Sequence, residues 1–166
     1  SGGYVPLSAV LASERVIAPI ARGSRAFKHA QTFSHTPAMC AAGLAAVRHI
    51  KAHGLVERAR AMGEVLQAKL ATLVDHPEGR SVGDVRGKGL LAGIELVADR
   101  ATKAPFPRAA MVAERLVAAA QEVGLVLWSN VGHADGTNGD LVMVAPPFII
   151  TEAEIDELVS RLRRAL

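Results

Sequence analysis

The residues best suited to hold an anion lie in the run 27–37, FKHAQTFSHTP. The hydroxyls of Thr32 and Ser34 and the surrounding backbone N–H groups come just before Thr36-Pro37, a pair that fits the N-cap and first position of a helix. Donors gathered at a helix start suit a phosphate. A plain helix cap has the same residues, and both readings stand at this point. A second polar loop, Ser1-Gly2-Gly3-Tyr4, offers backbone freedom beside an expected strand.

Other candidates reduce to ordinary structure. Gly87-x-Gly89 with Gly93 misses the dinucleotide-binding spacing by one place, and its flanks read strand–strand, so a turn is the better reading. His49 and His53 are four apart on a helix, but no third metal ligand follows at a suitable spacing, which leaves a solvated pair. His29 and His35 flank the first loop and could shape a polar pocket. Asp135, Asn138 and Asp140 lack the spacing and twelfth-position Glu of a calcium loop and read as a hairpin loop. Asp84 and Glu95 could act as acid and base, yet nothing in the sequence brings them face to face. There is no Gly-x-Ser-x-Gly motif and no Cys/His nucleophile pair. Cys40 falls in the apolar run AMCAAGLAAV and is expected to be a buried, inert thiol.

The chain has 166 residues, half of them hydrophobic, and a net charge of +3. That composition favours a folded protein over disorder. Arg15, Arg22, Arg25 and Lys28 lie toward one end and Arg161, Arg163 and Arg164 at the other, so the basic charge reads as mild and spread out, a solvated surface. No nucleic-acid motif is present, and neither a nucleic acid nor a membrane is an expected partner. A single cysteine and the lack of a secretory-type start point to a reducing, cytoplasmic setting.

The elements that must position these residues follow from pattern. Residues 5–13, VPLSAVLAS, read as a strand, and the next stretch as a helix ending at Pro19. Helical sequence follows Pro37 to about Ile50, with Gly54 as a kink or break. Leu55, Ala59, Met62, Leu66, Leu70 and Leu73 then form an apolar stripe at helical spacing. From Ser81 the period changes to two short strands around Gly87-Lys88-Gly89, a hairpin or a bulged, bent strand. A helix over about 109–123 closes at Gly124. LVLWS and LVMVA are strands, and Thr151 with Glu154 makes a capping box for the last helix.

Four stretches in this order, SGGYVPLSAVLAS, HAQTFSHTPAMCAAGLAAV, VGDVRGKGLLAGIELVAD and APPFIITEAEIDELV, resemble the C-terminal part of the class III (ω-amino acid and amine) aminotransferases, pyridoxal-phosphate enzymes of fold type I. The resemblance covers nearly the whole chain. It implies an α/β plus α+β architecture: residues 1–54 are the C-terminal edge of a large cofactor-binding domain with the start of a linking helix. Residues 55–166 are then the rest of that helix and a small C-terminal α+β domain.

The resemblance also implies roles. Thr32 matches the threonine that binds the cofactor phosphate and reaches across a homodimer into the partner's active site. Gln31 holds the preceding position, where a backbone group often helps. Tyr4 and Trp128 are expected near the substrate, an amine or amino-acid donor and a keto-acid acceptor such as pyruvate. The lysine that forms the Schiff base with pyridoxal phosphate falls three residues before the position of Ser1. The chain is therefore expected to be a C-terminal fragment that carries no catalytic residue of its own and does not transaminate alone. Members acting on ornithine-like or γ-amino acids carry an Arg just before the APP-type motif, where this chain has Met143. No arginine occurs over 127–139 either, which leaves Trp128, Ser129, Asn130 or His133 to meet the substrate. Other class III activities (aminomutase, racemase, decarboxylase) and a non-catalytic dimerisation remnant remain as alternatives.

Overall fold

The structure, a computed structural model, describes residues 1–166. The chain divides into two units, Ser1–Gly54 and Leu55–Leu166.

The first unit has two helices and no strand: α1 (Glu14–Arg22) and α2 (Pro37–Ala52). The strand expected over residues 5–13 is not formed. A strand needs a neighbour for its N–H and C=O groups, and every strand of this chain lies in the other unit. α1 also runs through Pro19 instead of stopping there. Proline forfeits its own bond to the carbonyl four residues back. The bonds on either side remain: Ile17 N–H donates to Ser13 O and Gly23 N–H to Pro19 O, at 3.1 and 2.9 Å. In α2 Pro37 fills the first position. Thr36 occupies the N-cap without a side-chain cap, because its hydroxyl instead donates to Phe33 O at 2.8 Å. Gly43 is the only buried residue of α2. It lies under Leu7, whose Cδ2 would be 2.3 Å from a Cβ built there.

The second unit is an antiparallel sheet backed by helices on one face. Its elements are α3 (Leu55–Ala71), β1 (Val82–Lys88), β2 (Leu91–Leu96), α4 (Val112–Glu122), β3 (Trp128–Val131), β4 (Asp140–Val144) and α5 (Glu152–Ala165). The strand order is β1-β2-β4-β3. Alternation along the strands sends Ala92, Ile94, Leu96, Val142 and Val144 into the core, where they meet Leu66 and Leu70 of α3, Leu116 of α4, and Ile155, Val159 and Leu162 of α5. Gly93, Glu95, Leu141, Met143 and Trp128 lie on the opposite face, which no helix covers.

The expected hairpin closes through Gly89-Leu90, with Lys88 paired to Leu91. Gly89 has φ +56, the left-handed region that a two-residue hairpin turn requires and glycine supplies at no steric cost. Helix α3 passes directly over this turn. A Cβ on Gly63 would come within 2.4 Å of Gly89 Cα, and Gln67 Nε2 donates to both Gly89 O and Leu91 O at 3.3 Å.

Side chains also tie the loops down. Arg58 donates through Nε to Phe148 O (2.9 Å) and through Nη2 to Ile149 O and Ile150 O (3.0 and 2.7 Å). The capping box forms: Glu154 N–H donates to Thr151 Oγ1, and Thr151 N–H donates to Glu154 Oε2. Hydrogen bonds from the Thr151 backbone and side chain lower the Glu154 carboxyl below its ordinary range. Residues Asp135, Asn138 and Asp140 form a brace. Asp135 accepts from Thr137 N–H, Asn138 N–H and Asn138 Nδ2. Asn138 Oδ1 accepts from Arg108 N–H at 2.9 Å. Asp140, 1% exposed, accepts from Ala113 N–H at 3.0 Å and so caps α4 from the start of β4.

Two stability outcomes follow. In the intact protein, Gly63→Ala lowers stability by about 1–3 kcal/mol through overpacking against Gly89, despite alanine's better helix propensity. An unchanged denaturant midpoint would show that the turn yields freely. Asp140→Ala costs about 1–3 kcal/mol by orphaning the buried Ala113 N–H, while Asp140→Asn, which keeps an acceptor oxygen, costs less. Equal losses in the two variants would mean the cap is not what Asp140 provides.

Candidate functional site

Within the first unit, residues 31–36 form a tight turn ahead of α2. Ser34 N–H donates to Gln31 O at 2.9 Å, and Gln31 N–H donates to Ser34 Oγ at 3.2 Å. His35 takes a left-handed conformation, φ +60, which swings the chain into Pro37. These bonds use up the main-chain groups of Gln31. They leave Thr32 N–H, the Thr32 hydroxyl and Phe33 N–H without partners in this chain. Thr32 and Phe33 are both exposed. Three free donors on two adjacent residues, just ahead of a sixteen-residue helix, are a donor set for an oxyanion.

Beside this turn lies a cavity of about 820 Å³ between the 6–8 segment and the start of α2, lined by Pro6, Leu7, Gln31, Phe33, Met39 and Cys40 among others. Gln31 lines this cavity, and Thr32 is not among the lining residues. Cys40 is exposed rather than buried. The run AMCAAGLAAV is apolar, but α2 buries only Gly43, and Leu44 and Val47 are exposed as well. The thiol thus has nothing in this unit to pack under. Tyr4 stands free in the N-terminal turn, 90% exposed, where Gly2 and Gly3 both have positive φ.

Charge in this unit is concentrated, contrary to the mild, spread balance read from the whole chain. It holds six Lys and Arg against the single carboxylate of Glu14, a balance of +5, which leaves −2 for the second unit out of the chain's +3. Every ion pair of the chain lies in the second unit, so none of the six cations is paired. His49 and His53 stack with ring centroids 4.2 Å apart.

In the second unit the open sheet face carries Trp128, 71% exposed on the edge strand β3. The register sets Trp128 beside Met143, Met143 beside Gly93 and Gly93 beside Arg86. It also sets Asp84 opposite Glu95, a pairing the sequence did not reveal. Arg86 joins them, with Nη1 at 2.7 Å from Asp84 Oδ2 and 2.5 Å from Glu95 Oε2. Hydrogen bonds to Glu95 and then Asp84 raise the Arg86 pKa, with burial acting against them. His133 Nε2 stands 3.9 Å from Glu95 Oε1. The sequence signal for this cluster was the alternation of Asp84 and Arg86. Locating Glu95 also needed the length of the Gly89-Leu90 turn. Trp128 and Thr32 belong to different units.

No helix of the chain is long and apolar enough to cross a membrane. The family model for class III aminotransferases matches residues 1–166. The uncharacterized aminotransferase YodT of Bacillus subtilis is 38% identical over 160 residues, which is 95% of this chain and 35% of that protein. The taurine–pyruvate aminotransferase of Bilophila wadsworthia is 35% identical over 170 residues, 99% of this chain and 36% of its own length. An amine transaminase from an uncultivated Pseudomonas species, solved in its PLP-bound form, superposes with a TM-score of 0.86 at 32% identity, covering 98% of this chain and 35% of that one. The chain thus spans about a third of the length of the curated relatives it matches. With its whole length matched, the chain belongs to the class III aminotransferase family.

Proposed function

We propose that this chain is part of a pyridoxal-phosphate-dependent aminotransferase that moves an amino group from an amine or ω-amino acid to a keto acid such as pyruvate, in the cytoplasm. Family membership supports amino transfer, and the taurine–pyruvate relative and the PLP-bound neighbour support the acceptor and the cofactor. In this reading Ser1–Gly54 is the edge of the large cofactor-binding domain with the start of the linking helix. Leu55–Leu166 continues that helix and forms the small domain.

The observation that carries the site is the free donor set at Thr32. A cofactor phosphate needs several donors and a positive surround, and the unpartnered Thr32 hydroxyl, Thr32 N–H and Phe33 N–H in a unit of charge +5 fit that need. Bound pyridoxal phosphate would act as an electron sink at the amino-bearing carbon. The residues of this chain bind and orient it. The Thr32 hydroxyl would donate to a phosphate oxygen and the two N–H groups would orient it, with Gln31 lining the adjacent cavity. Thr32 is exposed in its own unit, which suits a residue offered to the site of a second subunit in a homodimer.

On the substrate side, Tyr4 and Trp128 are the aromatic surfaces offered. Arg86, the one arginine in the row of Trp128 and Met143, is already engaged by two carboxylates. That supports a donor whose carboxylate, if it has one, is gripped elsewhere.

In the intact protein, Thr32→Ala raises the dissociation constant for pyridoxal phosphate about tenfold, the worth of one hydrogen bond to a charged group, while Thr32→Ser keeps most of the affinity. The measurement is cofactor retention on dialysis, with circular dichroism as the check on folding. Unchanged retention in Thr32→Ala would return the loop to a plain helix cap.

A further inference from the structure

Unit 1 holds far more positive charge than a helix pair needs. No carboxylate side chain occurs between Glu14 and Glu57, and the interval holds Arg15, Arg22, Arg25, Lys28, Arg48 and Lys51, all exposed and unpaired. Like charges repel, and an anion drawn to this stretch would relieve that repulsion. Three of them, Arg22, Arg25 and Lys28, precede the Thr32 turn along a stretch with no regular structure after Arg22. Chain length bounds their distance: four residues separate Lys28 from Thr32, at most about 14 Å, and seven separate Arg25 from it, at most about 25 Å. At those separations exposed charges are largely screened at physiological salt, where the Debye length is about 8 Å, but act strongly at 0.01 M, where it is about 30 Å. Those limits keep Arg25 and Lys28 near enough to shape the field at the loop at low salt, and Arg22, ten residues back, lies within at most about 35 Å of it.

We propose that Arg22, Arg25 and Lys28 form an electrostatic approach to the Thr32 turn, drawing in the phosphate-bearing cofactor before the turn's own donors hold it. This rests on the reading of Thr32 given above and adds a kinetic role for residues outside that contact set. A phosphate monoester carries roughly −1.5 to −2 at neutral pH, so a local field of several cations raises its encounter rate. Once bound, its residence depends on short-range hydrogen bonds, which the field leaves nearly unchanged. Steering therefore predicts an effect on association and none on dissociation.

The experiment uses the full-length protein stripped of cofactor and mixed with pyridoxal phosphate in a stopped-flow instrument, following cofactor absorbance. Raising sodium chloride from about 10 to about 300 mM should slow association roughly tenfold, while pyridoxal, which lacks the phosphate, should respond less than about twofold. The triple variant R22Q/R25Q/K28Q should associate about fivefold more slowly at low salt and lose most of the salt dependence, with its dissociation rate within about twofold of the parent. Lys28→Gln alone, a gentler change should the triple variant misfold, should slow association about twofold. R48Q/K51Q, which removes two charges at the far end of α2, is the control for position, and R25Q/K28Q, which also removes two, is its charge-matched counterpart. Salt-independent association would overturn the proposal, as would a triple variant indistinguishable from the parent, an effect confined to dissociation, or equal slowing by R48Q/K51Q and R25Q/K28Q. Thr32→Ala separates the two claims. It should raise dissociation and leave association alone, so a failure there counts against the binding site, and a failure of the charge variants counts against steering.

Discussion

The second unit depends on one close approach, the backbone of Gly89 lying against Gly63 with Gln67 bonded to the carbonyls on either side of the turn. Only glycine allows a helix to sit that near a hairpin turn. The contact holds the turn at two residues, and the turn length fixes the β1–β2 register. Register then decides what meets on the open face: Asp84 opposite Glu95, and Arg86 in line with Gly93, Met143 and Trp128. A turn one residue longer would move every β1 side chain to the other face.

The two units solve different problems. The second buries a continuous core of Leu, Ile and Val between sheet and helices and satisfies its one deeply buried carboxylate with a helix N–H. The first buries almost nothing, exposes Val10, Leu11, Phe27 and Phe33, and keeps its cations unpaired. Large exposed apolar area together with unpaired charge marks a surface shaped for contacts rather than for its own stability. The donors proposed for the cofactor lie in that unit, while the unit with the continuous core carries the open sheet face.

How much was legible from sequence depended on how local each feature is. The capping box at Thr151 and Glu154 needs only residues three apart, and the hairpin at Gly87–Gly89 only a local change of period. The capping box formed as read, and the hairpin formed with its turn displaced to Gly89-Leu90, Gly87 and Lys88 lying in β1. The strand over residues 5–13 and the burial of Cys40 depended on partners distant in sequence, and within this chain those partners do not exist. Asp84 and Glu95 could not be paired from the sequence because their meeting depends on register, a property of two strands and a turn together. The polarity of charge was hidden for a simpler reason: a net of +3 averages a strongly basic first third with a slightly acidic remainder. At the candidate site, the turn before Pro37 was visible from residue types. The role of Thr32 was suggested only by resemblance, because one hydroxyl before a helix is common in loops that bind nothing.

The Arg58 fork bears on how this family can vary. Its nitrogens engage the carbonyls of three consecutive residues, Phe148 to Ile150, immediately after the stiff pair Pro146-Pro147 and just ahead of the Thr151 cap. A single inserted or deleted residue there would shift the carbonyls out of phase with the fork and carry the helix cap with them. The exposed side chains of Phe148 and Ile149 can change, since the fork reads only the main chain, while Ile150 is held by its place in the core. The length of the loop cannot, so among relatives that keep this arginine, diversity in the segment should arise by substitution and not by insertion or deletion.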